Sequence, residues 1–401
     1  MRAIKLAIAI AGVAAGSSLA QGQTVLGEPS FVLAQAQTQP QPGEQKRVIR
    51  PAPSAASSGE LGKITRINNW TVGVAGGLLE GTFSKYAADL GKALDDGENM
   101  RVLPIVTYGA VGNITDLLYL RGIDIAITYA DVLDHFKNVE KVPNIERRIH
   151  YIIPMFDGEV HILARPEIKT IQDLVGKKVN FNTVGSAANY TGGIVFDRLG
   201  IKAERLFLNN SIALEGMRKG EIAALVHVVG KPNDLFSKMK AEPGFHFLPV
   251  EWSDKFADYY APTELNSADY PGLIPKEGKV ETISVSALLA VYNWAPETDR
   301  FRRVQRFVEY LFQRFDKMKA PPYQPKWKDI NLAGKLPGWT RYWVAEEQIK
   351  KLQATATAAG AGGIDANLAR QHAARAAPND AAQQEKLFQQ FIEWSRKRQG
   401  Q

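Results

Sequence analysis

Three glycine-rich turns hold the residues best suited to chemistry in this chain. They are Gly76-Gly77-Leu78-Leu79-Glu80-Gly81-Thr82, Thr107-Tyr108-Gly109-Ala110-Val111-Gly112-Asn113 and Gly185-Ser186-Ala187-Ala188-Asn189-Tyr190-Thr191. Each follows a short β-rich run and leads into a helical pattern. Such a turn aims backbone N–H groups and the positive end of a helix at one point, which suits an anion. The same residues also serve as plain strand-to-helix connections. None of the three turns contains Arg or Lys, although Lys85 stands one turn into the first helix. Anion capture here would therefore rest on hydroxyls, amides and helix starts rather than on a bidentate arginine. Glu80 would repel a carboxylate unless it points away or meets an amino group, which favours a zwitterion over a dicarboxylate. The candidate ligand-binding residues are Glu80, Thr82, Thr107, Tyr108, Asn113, Tyr129, Ser186, Ala187, Asn189 and Tyr190.

Signals for other chemistries are poor. The glycine spacing of the first turn is not that of a dinucleotide fingerprint, and no Walker loop or Gly-x-Ser-x-Gly elbow occurs. The histidines (His135, His150, His161, His227, His246 and His372) show no metal-ligand spacing. His227, on a β-rich run, reads as a satisfied core residue. Asp95-Asp96-Gly97-Glu98 reads as a solvated turn, since the ligand spacing of a calcium loop is missing. With no cysteine in the chain, disulfides, thiolate metal sites and cysteine nucleophiles are all absent. Catalysis is not expected, and no cofactor or metal is called for. The aromatic group Trp252, Tyr259, Tyr260 and Tyr270 reads as packing for a long loop, with a cleft lining as the alternative.

The elements that must position these turns alternate between strand and helix. Strands are expected at 70–75, 101–107, 124–129, 178–182, 203–208, 222–229 and 282–292. Helices are expected from Thr82, from Asn113 as an N-cap, after Ser186, around Leu214, and over the apolar face Phe301, Val304, Val308, Leu311 and Phe315. Thr170 with Asp173 reads as a capping-box-like helix start. The second strand–helix set begins near Val160, and 245–275 reads as loop. This rhythm implies an α/β protein with a mainly parallel sheet covered by helices. In open sheets of that kind, ligands bind at the carboxyl ends of the strands.

The chain has 401 residues, 45% hydrophobic and 23% charged, with a formal net charge of +7. That composition is globular and gives enough chain for two lobes. The basic residues form local clusters rather than a stripe, and no nucleic-acid-binding signature accompanies them, so nucleic acid is not an expected partner. Arg2 and Lys5 precede the apolar run Leu6–Ala15, and Ser18-Leu19-Ala20 offers a cleavage site. Residues 1–20 thus read as a signal peptide and the mature protein as periplasmic, with a retained anchor as the alternative. Residues 21–60 read as a disordered linker, and 354–401 as an Ala-rich C-terminal extension. Leu387, Phe388, Phe391, Ile392 and Trp394 there mark a terminal amphipathic helix, packed on the body or docking a partner.

The run Val72-Gly73-Val74-Ala75-Gly76-Gly77 and the two later turns stand in a suggestive order. So do Gly122-Ile123-Asp124-Ile125-Ala126-Ile127, Gly176-Lys177-Lys178-Val179, Gly220-Glu221-Ile222-Ala223-Ala224 and Pro337-Gly338-Trp339-Thr340-Arg341-Tyr342. From about Trp70 to Tyr342 the chain resembles the TAXI family of solute receptors, periplasmic components of one class of TRAP transporters. The resemblance implies a two-lobe periplasmic binding protein type II fold with two hinge crossovers. Lobe 1 would hold 64–160 and 284–350, and lobe 2 would hold 161–283. It further implies capture of a small organic anion or amino acid and delivery to membrane permease subunits by a monomer. A ligand-sensing subunit for a signalling partner is the alternative. The chain departs from the family pattern in Leu78-Leu79-Glu80, in Ala187-Ala188 after Ser186, and in the Ala-rich extension.

Overall fold

The computed structural model describes residues 59–239, 244–358 and 382–390. The expected signal peptide, nearly all of the linker and residues 359–381 of the extension lie outside the described residues. So do Phe391, Ile392 and Trp394 of the terminal helix; residues 382–390 are helical, with Phe388 buried.

The chain begins with α1 (Glu60–Asn69), β1 (Thr71–Ala75), α2 (Thr82–Leu94), β2 (Arg101–Ile105), α3 (Ala110–Tyr119), β3 (Ile125–Tyr129) and the long β4 (Ile149–Ala164). It continues through β5 (Lys178–Asn180), α4 (Gly193–Leu199), β6 (Glu204–Leu206), α5 (Asn210–Arg218), β7 (Ala224–Val229), β8 (His246–Phe247) and β9 (Tyr260–Asn266). It returns along the second long strand, β10 (Lys279–Tyr292), and ends in α6 (Asp299–Met318) and α7 (Trp343–Ala358). The strands join one sheet in the order β2-β1-β3-β10-β4-β7-β5-β6, with β8 beside β4 and β9 beside β10. This is a mixed α/β fold in which β1, β2 and β3 are parallel to one another, as are β5, β6 and β7.

Pairing along β4 explains how two sets of strand ends come to face each other. β10 pairs antiparallel with β4 from Ile149 to Glu159, and β7 pairs antiparallel with β4 from Glu159 to Ala164. The first parallel set runs with β4 beside its N-terminal part, and the second runs against it beside its C-terminal part. The carboxyl ends of both sets therefore converge on the middle of β4. There Glu159 is buried; its carboxylate accepts from the Lys231 backbone N–H at 2.7 Å and from Lys326 Nζ at 3.2 Å. The core is continuous across this junction, from Val72 and Val74 on β1 through Leu288 and Leu289 on β10 to Val226 on β7. A smaller apolar cluster around Leu163, Leu225, Phe236 and Tyr270 covers one face of the second half.

Three expectations need correcting. The second strand–helix set, expected to begin near Val160, is reached through a strand that starts at Ile149 and runs unbroken to Ala164. Pro154 and Gly158 interrupt its pattern, and burial on both faces removes the alternation that marks a half-exposed strand. The stretch 245–275 is not all loop: β9 lies within it, a sheet-edge strand where Pro262 needs no inward-facing N–H. Asn113 is not a helix cap. Gly109 occupies the N-cap position with φ 103°, which glycine adopts without strain, and α3 starts three residues before Asn113. The capping box at Thr170 and Asp173 is present, but heads a 3₁₀ turn.

Candidate functional site

A cavity of about 40 Å³ lies where the strand ends converge. Its lining comes from five segments that each follow or close a strand: Gly77, Leu78 and Gly81–Phe83 after β1, Tyr108–Ala110 after β2, Tyr129 ending β3, Asn182 with Ser186–Ala188 after β5, and His227–Val229 ending β7. None of the lining residues carries a full charge at neutral pH. The first-turn amides of Thr82 and Phe83 in α2, and of Ala110 and Val111 in α3, have no intrahelical acceptor. Neither Gly81 nor Gly109 supplies a side-chain cap. Two helix N-termini thus present positive ends toward the cavity, with no lysine or arginine among its described lining residues.

The floor is aromatic. Phe83 packs on Tyr129 with ring centroids 4.8 Å apart, and on Phe156 at 6.0 Å. Tyr129 is buried, and burial with the negative charges of Glu159, Asp131 and Asp157 pushes its phenol well above its ordinary range. It therefore acts as a neutral hydroxyl. Gly158 makes room for it, since a Cβ there would sit 2.0 Å from Tyr129 Oη.

The two halves touch around this cavity. Thr82 Oγ1 accepts from Gly230 N–H at 3.1 Å, and Lys85 pairs with Asp234 at 3.0 Å. Asn182 Nδ2 donates to Glu80 Oε1 at 3.3 Å, and Asn233 Nδ2 donates to the Glu80 carbonyl at 3.1 Å. Gly112 N–H donates to the Gly185 carbonyl at 3.3 Å. On the far side Asp131 accepts from Thr191 Oγ1 at 2.7 Å and from Tyr260 Oη at 2.9 Å. Burial raises the Asp131 carboxyl to about 6, against the lowering effect of these two hydroxyls.

Of the sequence candidates, Thr82, Tyr108, Tyr129, Ser186 and Ala187 line the cavity, with Tyr108 at its exposed mouth. Glu80 stands behind it, engaged by Asn182 and Asn233. Thr107 accepts from Gly77 N–H at 2.8 Å and donates to Asn113 Oδ1. The Asn113 amide donates to the carbonyls of Ala75 at 3.3 Å and Ile127 at 2.7 Å, so its side chain pins α3 to the sheet instead of facing a ligand. Asn189 is likewise turned inward: its Oδ1 accepts from Gly185 N–H and its own N–H donates to Ser186 Oγ. Tyr190 lines a separate surface hollow with Asp134, Arg198 and Tyr259.

Sequence reasoning missed Phe83, Asn182 and His227. Asn182 holds a left-handed φ of 56°, a conformation asparagine tolerates better than most residues. His227 is in the core, as expected, but neither ring nitrogen has a hydrogen-bond partner among the described residues.

Residues 74–334 match the model of the NMT1-like family, and the chain belongs to that family. Among solved structures, it is similar to holo ArgBP from T. maritima at 16% identity. That match covers 64% of this chain and 93% of that one, with a TM-score of 0.37. It is also similar, at 14% identity, to an amino acid ABC transporter substrate-binding protein from Streptococcus pneumoniae bound to L-arginine, with 66% and 96% covered and a TM-score of 0.37. A third similar structure is the Synechocystis CcmR regulatory domain in complex with 2-PG, at 13% identity, 60% and 95% covered, and a TM-score of 0.35.

Proposed function

We propose that this chain is an exported solute-binding protein of the TAXI kind. On this reading it captures a small organic anion between its two halves and presents it to a TRAP-type membrane permease, without catalysing a reaction. The observation that carries the proposal is the cavity at the facing strand ends, into which two uncapped helix N-termini open beside hydroxyl and amide side chains. Neutral donors in a desolvated cleft bind an anion and release it without a counter-ion to exchange. The contacts from Thr82, Glu80 and Lys85 to the second half supply a closed state that ligand would favour by differential affinity. The paired strands β4 and β10 are the connections about which closure would turn.

The test is a thermal-shift screen of organic acids and amino acids on the mature protein, followed by small-angle scattering. A true ligand at a hundred times its Kd adds about 2.7 kcal/mol of stability. It should also lower the radius of gyration. If no acid in the screen stabilises the protein, the proposal fails. Stabilisation without compaction would rule out the closing mechanism.

A further inference from the structure

His161 and His227 face each other across the β4–β7 ladder, directly opposite in register and on the same face. Their surroundings differ sharply. His161 sits in a complete chain of bonds: Asn233 N–H donates to Tyr270 Oη at 3.1 Å, and Tyr270 Oη donates to His161 Nε2 at 2.7 Å. His161 Nδ1–H then donates to the Glu159 carbonyl at 2.8 Å. His227 is only 5% exposed and has no partner for Nδ1 or Nε2. Its ring meets the edge of Phe236, with centroids 6.0 Å apart, which satisfies neither nitrogen. A buried polar group left unpaired costs about 1–3 kcal/mol, so such a group calls for a partner.

The place where a partner fits is the cavity, which His227 lines. Asn182, two residues past the end of β5, is another lining residue of the same cavity. We propose that His227 is a specificity-determining residue of the cleft, whose neutral imidazole hydrogen-bonds a hydroxyl or keto oxygen on a short-chain carboxylic acid. The carboxylate of that acid would meet the starts of α2 and α3. This rests on the function proposed above and narrows its ligand class.

Two further observations set the class. The cavity is small, about 40 Å³, and opens at Tyr108, which suits a short acid better than a long amino acid. Among the described residues no carboxylate lines the cavity, and Glu80 behind it is engaged by Asn182. A ligand ammonium would therefore be buried without a counter-charge, which is costly. This reverses the preference for a zwitterion suggested by Glu80 in the sequence.

Calorimetry with propionate, lactate, pyruvate and alanine on the wild type, His227→Phe and His227→Gln tests the assignment. For the wild type, lactate or pyruvate should bind at least about tenfold more tightly than propionate, the size of one buried hydrogen bond. Alanine should be the weakest. His227→Phe, which keeps a buried ring, should bring the oxygenated acid and propionate within about twofold of each other. His227→Gln, which restores a donor and an acceptor, should recover part of the preference. A purely structural role for His227 would weaken all four probes together and leave the ratio intact, and that result would overturn the assignment. Alanine binding as tightly as lactate would also overturn it. If none of these probes binds while a larger acid or amino acid stabilises the protein, this inference falls and the solute-binding reading stands. If no acid of any size binds, both fall.

Discussion

Gly158 and Asn113 show how single residues hold the candidate site without touching a ligand. A Cβ on Gly158 would overlap Tyr129, 2.0 Å from Oη and 2.3 Å from Cζ. Gly158→Ala must therefore displace the Tyr129 ring from the cavity floor, at about 1–3 kcal/mol for forced overpacking. A lower urea midpoint with an unchanged slope is the expected result. Tyr129→Leu should absorb most of that cost in the double variant, because the two residues share one contact; additive costs would show that the strain lies elsewhere. Asn113 joins α3 to the carbonyls of Ala75 and Ile127, and its Oδ1 accepts from Thr107. Asn113→Ala should cost about 1–3 kcal/mol of stability by leaving those groups buried and unpaired. The defect should appear in denaturant unfolding with no ligand present. A ligand-affinity loss with unchanged unfolding would return Asn113 to the binding surface.

At the scale of elements, what the sequence reveals follows from how local each signal is. β1 and β3 are short β-rich runs, one ending before Gly76 and the other starting after Asp124, and α6 repeats apolar residues on one face through Phe301, Val304, Val308, Leu311 and Phe315. Such patterns need no knowledge of neighbours. β4 is hidden because both its faces are buried, and β9 because its stability comes from pairing with β10. The turns carrying Thr82, Tyr108 and Ser186 are legible for the same local reason. His227 is not, because whether a buried histidine finds partners is decided by residues far away in sequence, as Tyr270 does for His161. Contacts between the halves are equally nonlocal, and the one made by Asp131, just after β3, can be tested directly. It accepts from Thr191 at the start of the α4 region and from Tyr260 on β9, while its backbone carbonyl accepts from Tyr190 Oη at 3.3 Å. Asp131→Ala leaves two hydroxyls without an acceptor, and the halves should separate more readily. The expected readout is a larger radius of gyration in ligand-free scattering; an unchanged radius would mean that the Thr82, Glu80 and Lys85 contacts suffice.

For the whole molecule, the buried titratable groups set how stability varies with pH. Burial pushes His227 down to about 4, and burial followed by the neighbouring His227 pushes His161 down to about 3. His150 is also lowered by burial. An unfolded chain has its histidines near 6.5. Between that value and about 4, the unfolded chain binds protons that the folded chain refuses, so the stability present above pH 6.5 is lost as pH falls. Asp131 and Glu159 act in the opposite sense. Burial raises both, so the folded chain keeps protons there that the unfolded chain sheds above about pH 4. The Asp131 share is lost as pH rises toward 6, and the Glu159 share is lost in the same direction. The two trends oppose each other, which makes the difference between variants a cleaner measurement than the wild-type curve alone. His227→Gln removes one group that protonates only on unfolding, so its stability should fall less steeply on acidification from pH 6 to 4.5. The slope should differ from wild type by up to about 1.4 kcal/mol per pH unit, the value of one proton. Asp131→Asn removes an opposing group and should make the acid loss steeper. Urea midpoints at pH 4.5, 5.2, 6.0 and 7.0 for the three proteins would separate these cases. Parallel curves for wild type and His227→Gln would show that His227 is not held neutral by burial.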